Sequence, residues 1–363
     1  MKKVYKFWLY GILIMLVAIG FLIFSHLNPR FSQWYAINIH QNIFPHISLL
    51  ISYFPFSIYE IGLLFLPILI FFFLIRDIIR LFSKTGRELF VKNIKKTPLR
   101  LLYIISILLF MFTFTSGINY TRNPYTNYID ISAQPSHLDD LIHLFHHLID
   151  QATEIVDYVE IDGSGIFVLN RENLVDEARR IMLNLNNYYG GLGNIFPRIK
   201  TLKLFNFILD KLGIHGFFSP FTLEAHFNQN APTHRIPFII THELAHTVGY
   251  MREDEANFIA YLACKYSDNA DFQYSGFIVA ITYTLGALRK ELNREQYTEL
   301  YFMLPEQIIR DLVAQDSYYQ RYVAQIPTVV GQRVYDGYLK LNQQDEGIRS
   351  YGKMVDLLLA YYR

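Results

Sequence analysis

The residues with the clearest chemical use are His242, Glu243 and His246, in the run His242-Glu243-Leu244-Ala245-His246. The two histidines are four positions apart. On a helix such a pair projects from one face, a turn apart, and offers two imidazole nitrogens to one ion. Glu243 lies beside that face, within reach of a water on the ion. This HExxH spacing suits one zinc ion (Zn2+) per chain, with the glutamate as general base. Zinc lowers the pKa of water from 15.7 toward about 7, which makes a nucleophile available at neutral pH. Glu243 would take the proton and deliver it to a leaving amine.

These side chains need a buried helix to position them. Pro237 sits near its first turn and Gly249 follows its last, as helix starts and stops require. Phe238, Ile239, Ile240, Leu244, Ala245 and Val248 make the helix apolar elsewhere. A second helix begins at once with Glu253-Asp254-Glu255-Ala256-Asn257 and runs apolar to Cys264. The gap from His246 to Glu253 is short, so a tight turn at Gly249–Met251 is required. Cys264, the only cysteine, excludes an intrachain disulfide and reads as a small core residue.

Here the sequence resembles the gluzincin metallopeptidases. The resemblance implies a third zinc ligand from a glutamate on a second helix, within an ExxA(D/N) pattern. Glu253-x-x-Ala256-Asn257 matches it, so Glu253 takes that role. Asn257 stands where aspartate is common, and implies an uncharged acceptor for the ring N–H of a ligating histidine. Glu255 is the alternative ligand. It points about 200° away from Glu253 on a helix, so the two cannot both face the metal. The wider pattern joins three apolar runs, this motif and a C-terminal segment from Tyr338-Leu339-Lys340 through Gly347–Tyr362. It is similar to an uncharacterised bacterial integral-membrane family catalogued as a domain of unknown function (3810).

An oxyanion donor is the remaining part. Candidates for oxyanion or substrate contact are His226, Tyr338 and Tyr351. Glu224 and His226 alternate with Leu223, Ala225 and Phe227, so they share one face of a strand just before the motif helix. In zincins such a strand edges the cleft. His143 and His147 form another i, i+4 pair, beside His137 and His146. No acidic third ligand is spaced to join them, and they read as the wet face of an amphipathic helix.

Composition sets the frame. Of 363 residues, 52% are hydrophobic and 18% charged, below the roughly 25% charged of soluble domains. The first 118 residues carry 12 Lys/Arg against 3 Asp/Glu, and the rest carry 21 against 29. No basic stripe suits nucleic acid. Apolar runs at about 7–24, 56–75 and 99–118 are each long enough to span the ~30 Å bilayer core. Glu60, near one end of the second, is assigned no role. Arg76, Arg80, Lys84, Arg87, Lys92, Lys95, Lys96 and Arg100 fall between the second and third runs. The positive-inside rule puts that loop and the N-terminus in the cytoplasm, and everything after the third span outside. The first run reads as an uncleaved anchor, since no small-x-small cleavage site precedes Ser25-His26-Leu27. The aromatic loop at 25–55 is expected on the membrane surface.

The expected architecture is a membrane domain over 1–118 and an extracytoplasmic, mainly α (α+β) zincin-like domain over 119–363. Asn123-Pro124 and Gln134-Pro135 mark a linker. Helices are expected at 137–158 and 170–189, and strands at 199–208 and 217–228. Helices follow from 237 onward, among them a core helix at 274–288. The function that follows is a membrane-anchored zinc metallopeptidase acting on a protein or peptide at the cell envelope. The alternative is a non-catalytic zinc-binding sensor or envelope-assembly protein, and a weaker one is a zinc amidase acting on cell-wall peptides.

Overall fold

The computed structural model describes residues 2–132, 137–322 and 350–363. Gln134, Pro135 and Tyr338 lie outside the described residues. The chain begins with α1 (Lys2–Leu27), α2 (Pro29–Tyr35), a π-helical turn (Ala36–His40) and α3 (Gln41–Ser52). Next come α4 (Ile58–Arg80), α5 (Lys84–Ile94), α6 (Thr97–Thr115) and the short α7 (Thr126–Ile129). The rest is α8 (Leu138–Val156), α9 (Leu174–Tyr189), α10 (Asn206–Leu212), β1 (Gly216–Ser219) and β2 (Glu224–Phe227). It ends with α11 (Ile236–Thr247), α12 (Glu253–Lys265), α13 (Ala270–Glu291), α14 (Arg294–Tyr301), α15 (Glu306–Tyr322) and α16 (Ser350–Tyr362).

Among the described residues, three helical stretches are long and apolar enough to cross a membrane: Trp8–Leu27, Ile58–Arg80 and Lys84–Thr115. They overlap all three runs expected from sequence. α1 packs along α6. Gly11 rests against Tyr103 and Ser106, and a Cβ on Gly117 would come within 2.6 Å of Leu22. Small residues let helices approach this closely where lipid gives no hydrophobic drive. The buried hydroxyls of Ser106 and Thr113 donate to the Leu102 and Leu109 carbonyls of their own helix, so they add no unsatisfied polar group in an apolar setting.

The 25–55 segment is not the loop expected. It is helical, because Asn28 accepts from Phe31 N at 3.2 Å to cap α2 and Pro29 pre-sets its first turn. It docks on the loop after α9 and on the hairpin turn: Gln41 Nε2 donates to Gly191 O at 2.8 Å and Ser48 Oγ to Leu223 O at 2.5 Å. The globular part therefore recruits residues 29–57 as well as those after 118.

That globular part is mostly helical. α11 lies at its centre, flanked by α9, α12, α13 and the β1–β2 hairpin. Phe145, Leu148, Ile181, Ile240, Leu244, Phe258 and Ile278 fill the core between them. α13 is a buried core helix, as expected. It crosses α12 closely, and a Cβ on Gly276 would meet Cys264 Cβ at 2.6 Å. The expected strand at 217–228 is a two-stranded antiparallel hairpin, with Gly216 opposite Phe227 and Phe217 opposite His226. The expected strand at 199–208 is not formed. Only Lys200 reaches β2, through its N–H to Ala225 O and its carbonyl to Phe227 N. Beyond it, the N–H groups of Leu204 and Phe205 are claimed by Glu60 Oε1, and the chain turns into α10.

Both α4 and α6 meet the globular part at one end. Ser57 caps α4 and is hydrogen-bonded to His226 Nε2 at 2.8 Å. The Thr115 carbonyl at the end of α6 accepts from His40 Nε2 at 3.0 Å. The basic connection from Arg80 to Arg100 lies at the opposite ends of these two helices.

Candidate metal centre

α11 carries His242, Glu243 and His246, buried against the core apart from a narrow opening at the two imidazoles. Gly249, at φ +93°, ends the helix. Its N–H bonds His246 O, and the Tyr250 N–H returns to Ala245 O at 3.1 Å, the double return that satisfies orphan carbonyls at a helix end. The left-handed backbone favours glycine, and so does space: a Cβ would sit 3.0 Å from His40 Nδ1 and 3.2 Å from Arg122 Nη1. Arg122 also donates to Val248 O and lies 3.8 Å over the Tyr250 ring. Together these contacts form the tight turn that brings the start of α12 back to α11.

As a result, His242 Nε2 lies 3.2 Å from Glu253 Oε2, and His246 Nε2 lies 3.7 Å from Glu253 Oε1. One donor atom from each of the three residues falls within 4.8 Å of the others. Donors bound tetrahedrally to zinc at about 2.05 Å would be about 3.3 Å apart. With Glu253 Oε2 as the donor, the separation from His242 Nε2 is already close to coordination spacing, and the set fits zinc in atom type. His246 Nδ1 donates to Tyr250 O at 2.6 Å, which leaves Nε2 as the lone-pair nitrogen facing the cluster. His242 Nδ1 is buried and makes no hydrogen bond. The Asn257 side chain lies near enough to that ring to favour its charged form, but without a bond to Nδ1 of good geometry.

The charges in the cluster are interdependent. Burial disfavours a charge on His242, but the hydrogen bond and charge of Glu253 outweigh it and raise its pKa. Burial likewise opposes charge on Glu253, and the two histidines hold it below the usual range. His246 is pushed down to about 4 by burial and by the neighbouring His242. Burial pushes Glu243 up to about 8, and its Oε2 has no hydrogen-bond partner. A buried carboxyl oxygen without a partner is costly, and it points to a group that the polypeptide does not itself supply.

The hairpin face nearest Glu243 carries Gly216. A Cβ there would lie 2.5 Å from Glu243 Oε1 and 2.8 Å from Ile239 Cγ2. Gly216→Ala should therefore displace the Glu243 carboxylate or lift β1 off α11. An overpacking cost of about 1–3 kcal/mol is expected, read as a lower thermal midpoint.

The other expected site residues lie elsewhere. Cross-strand partners share a face, so His226 and Phe217 lie on the side of the hairpin opposite Gly216 and Phe227. Their rings stack at 4.7 Å, and His226 Nε2 is held by Ser57. Glu224, on the same face, accepts from Ile58 N and Tyr59 N and pairs with Lys200 at 2.9 Å. This carboxylate caps the start of α4, where the helix dipole favours it. The shared face read from sequence is real, but it meets the start of α4, a helix long and apolar enough to cross a membrane, and not the cluster. Glu255 also points away: its Oε1 accepts from Tyr125 N at 3.3 Å, beside Arg122 and Arg252, and burial pushes it up to about 7. Tyr351 lies on α16, and its side chain is outside the described residues. His143 and His147 are exposed on α8, and among the described residues only His242, His246 and Glu253 cluster as metal-capable side chains. Sequence reasoning missed Gly216, the Tyr250 carbonyl, Arg122 and Glu60.

The fold and site define a chain with three helices able to cross a membrane and a helical domain holding a His-His-Glu cluster. The chain belongs to the family described as Protein of unknown function (DUF3810), whose profile matches residues 35–359. No curated protein and no solved structure shows a significant match.

Proposed function

We propose that the chain is a membrane-anchored zinc metallopeptidase. It would hydrolyse peptide bonds of a protein or peptide at the outer face of the cytoplasmic membrane. The observation that carries this reading is the Glu243 carboxyl, buried with Oε2 unpartnered beside three converging donor atoms. A purely structural metal site has no use for such a group. Two imidazoles and one carboxylate fit zinc and leave a coordination position open, as catalytic sites do. When bound, the ion supplies Lewis acidity, polarising a carbonyl and making water a nucleophile near neutral pH. Glu243 takes the water proton at Oε2 and passes it to the leaving amine. The Tyr250 carbonyl and the Gly249 turn keep His246 and Glu253 in register for this work.

Two further features support the reading. A motif helix flanked by a hairpin, with a carboxylate supplied from the next helix, is consistent with a zincin-like arrangement. The basic Arg80–Arg100 connection lies at the ends of α4 and α6 remote from the cluster, which under the positive-inside rule supports a cluster outside the cytoplasm. The test uses the purified full-length chain in vesicles. It should contain zinc and cleave a fluorogenic peptide library. A zinc chelator should abolish cleavage, and added zinc should restore it. A zinc-free preparation, or cleavage indifferent to the chelator, overturns the proposal.

A further inference from the structure

Apart from the buried Leu209, α10 turns its apolar residues outward. Its polar residues Asn206 and Asp210 are buried, while Phe207, Ile208 and Leu212 are exposed, as is Leu204 just before it. Phe207 is 58% exposed and Leu204 61%. The buried polar groups are hydrogen-bonded, apart from Asn206 Oδ1. Asp210 Oδ1 accepts from Asn228 Nδ2 at 2.8 Å and from the Tyr318 hydroxyl at 3.2 Å. Its Oδ2 accepts from Asn230 Nδ2 at 2.8 Å, and Asn206 Nδ2 donates to Asn228 Oδ1 at 2.9 Å. A buried network of this kind, anchored on both oxygens of Asp210, fixes one orientation. The apolar side is therefore presented outward rigidly.

What it faces follows from its neighbours. Glu60, in the first turn of the membrane-crossing α4, accepts from the N–H groups of Leu204 at 2.5 Å and Phe205 at 3.0 Å. Lys203 Nζ donates to Pro55 O at 3.2 Å, and Lys200 Nζ to Phe56 O at 2.8 Å. The patch is thus tied to the point where α4 begins, beside the exposed rings of Phe54 and Phe56. Aromatic rings are favoured at the boundary between lipid and water. An outward apolar face on a soluble surface marks an interaction site, and the surface continuous with this one is the sheath of lipid around α4.

We infer that Leu204, Phe207, Ile208 and Leu212 form a rigid wedge that inserts into the interfacial layer of the bilayer beside α4. Buried apolar area drives the insertion, to a depth of about 5–10 Å. The wedge does not depend on the metal reading. If both hold, the short link from Leu212 to Gly216 sets the Glu243 carboxylate close to the lipid surface.

The test uses full-length protein in vesicles of phosphatidylethanolamine and phosphatidylglycerol. Leu204→Cys and Phe207→Cys are spin-labelled separately, with exposed Glu172→Cys as the control. The native Cys264 is fully buried and stays unlabelled. Leu204 is in a loop, so its variant serves if Phe207→Cys folds poorly. Collisions with oxygen, which partitions into lipid, should exceed those with an aqueous nickel chelate several-fold at 204 and 207, and the order should reverse at 172. Nickel access at 204 and 207 equal to that at 172 overturns the wedge. So does protection from both reagents, which would mean that protein covers the patch.

Discussion

Glu243→Gln is expected to keep zinc and abolish hydrolysis. Gln is nearly isosteric, and Glu243 is not among the three clustered donors, so zinc content should match wild type. General-base removal costs about 10²–10⁴-fold in rate, or about 3–5 kcal/mol of barrier. The same variant carries a second readout that needs no substrate. In the metal-free protein burial raises the Glu243 carboxyl to about 8. A carboxyl raised on folding destabilises increasingly as pH climbs from its unfolded value near 4.5 towards 8. At neutral pH the metal-free wild type therefore bears a penalty that neutral Gln removes. Metal-free Glu243→Gln should melt higher than metal-free wild type at neutral pH, and the difference should vanish below the unfolded pKa. A bound cation offsets the wild-type penalty, so zinc should narrow the gap. Undiminished cleavage by the variant would refute the general base. Loss of zinc would make Glu243 a ligand instead. A metal-free variant no more stable than wild type would show that the carboxylate finds a partner.

The cluster was readable because its geometry is local. An i, i+4 pair lies on one helical face wherever the helix goes, and a six-residue connection containing a glycine leaves few routes from His246 to Glu253. The three apolar runs were readable because length and composition alone decide them. What could not be read is what faces what over long separations. The alternation of Glu224 and His226 showed that they share a face, but the face is decided by Ser57, 169 residues away in sequence. Glu60 looked like a residue at an interface, and its partners are N–H groups 144 and 145 residues later. The aromatic content of 25–55 masked three short helical pieces whose start depends on Asn28 and Pro29. Residues 199–208 alternate as a strand would, yet offer β2 only Lys200. In each case the local pattern was sound, and a distant backbone group decided its use.

The second large effect separates Glu253 from Glu255, two residues apart on one helix. Glu253→Ala removes the carboxylate in contact with both imidazoles. Losing a group that merely supports a ligand costs about 10–100-fold in metal affinity, so losing the ligand itself should cost at least ~100-fold. Zinc should be absent from the purified variant, and hydrolysis with it. Glu255→Gln should leave zinc affinity unchanged, because that side chain accepts from Tyr125 N on the far side of α12 and an amide oxygen can still do so. Its effect should fall on stability. Buried Arg122 faces Glu255, while Arg252 keeps its pairing with Asp254, and leaving a buried cation short of a counter-charge costs up to about 3–5 kcal/mol. Chelator competition gives the affinities, and thermal melts in excess zinc and in chelator give the stabilities. The expected pattern is crossed: Glu253→Ala loses the zinc-dependent rise in melting temperature, while Glu255→Gln keeps the rise from a lower baseline. If Glu255→Gln loses zinc and Glu253→Ala retains it, the third ligand has been assigned to the wrong face of α12. If both variants bind zinc as tightly as wild type, no carboxylate of this helix holds the ion. The reading of the site would then reduce to two imidazoles.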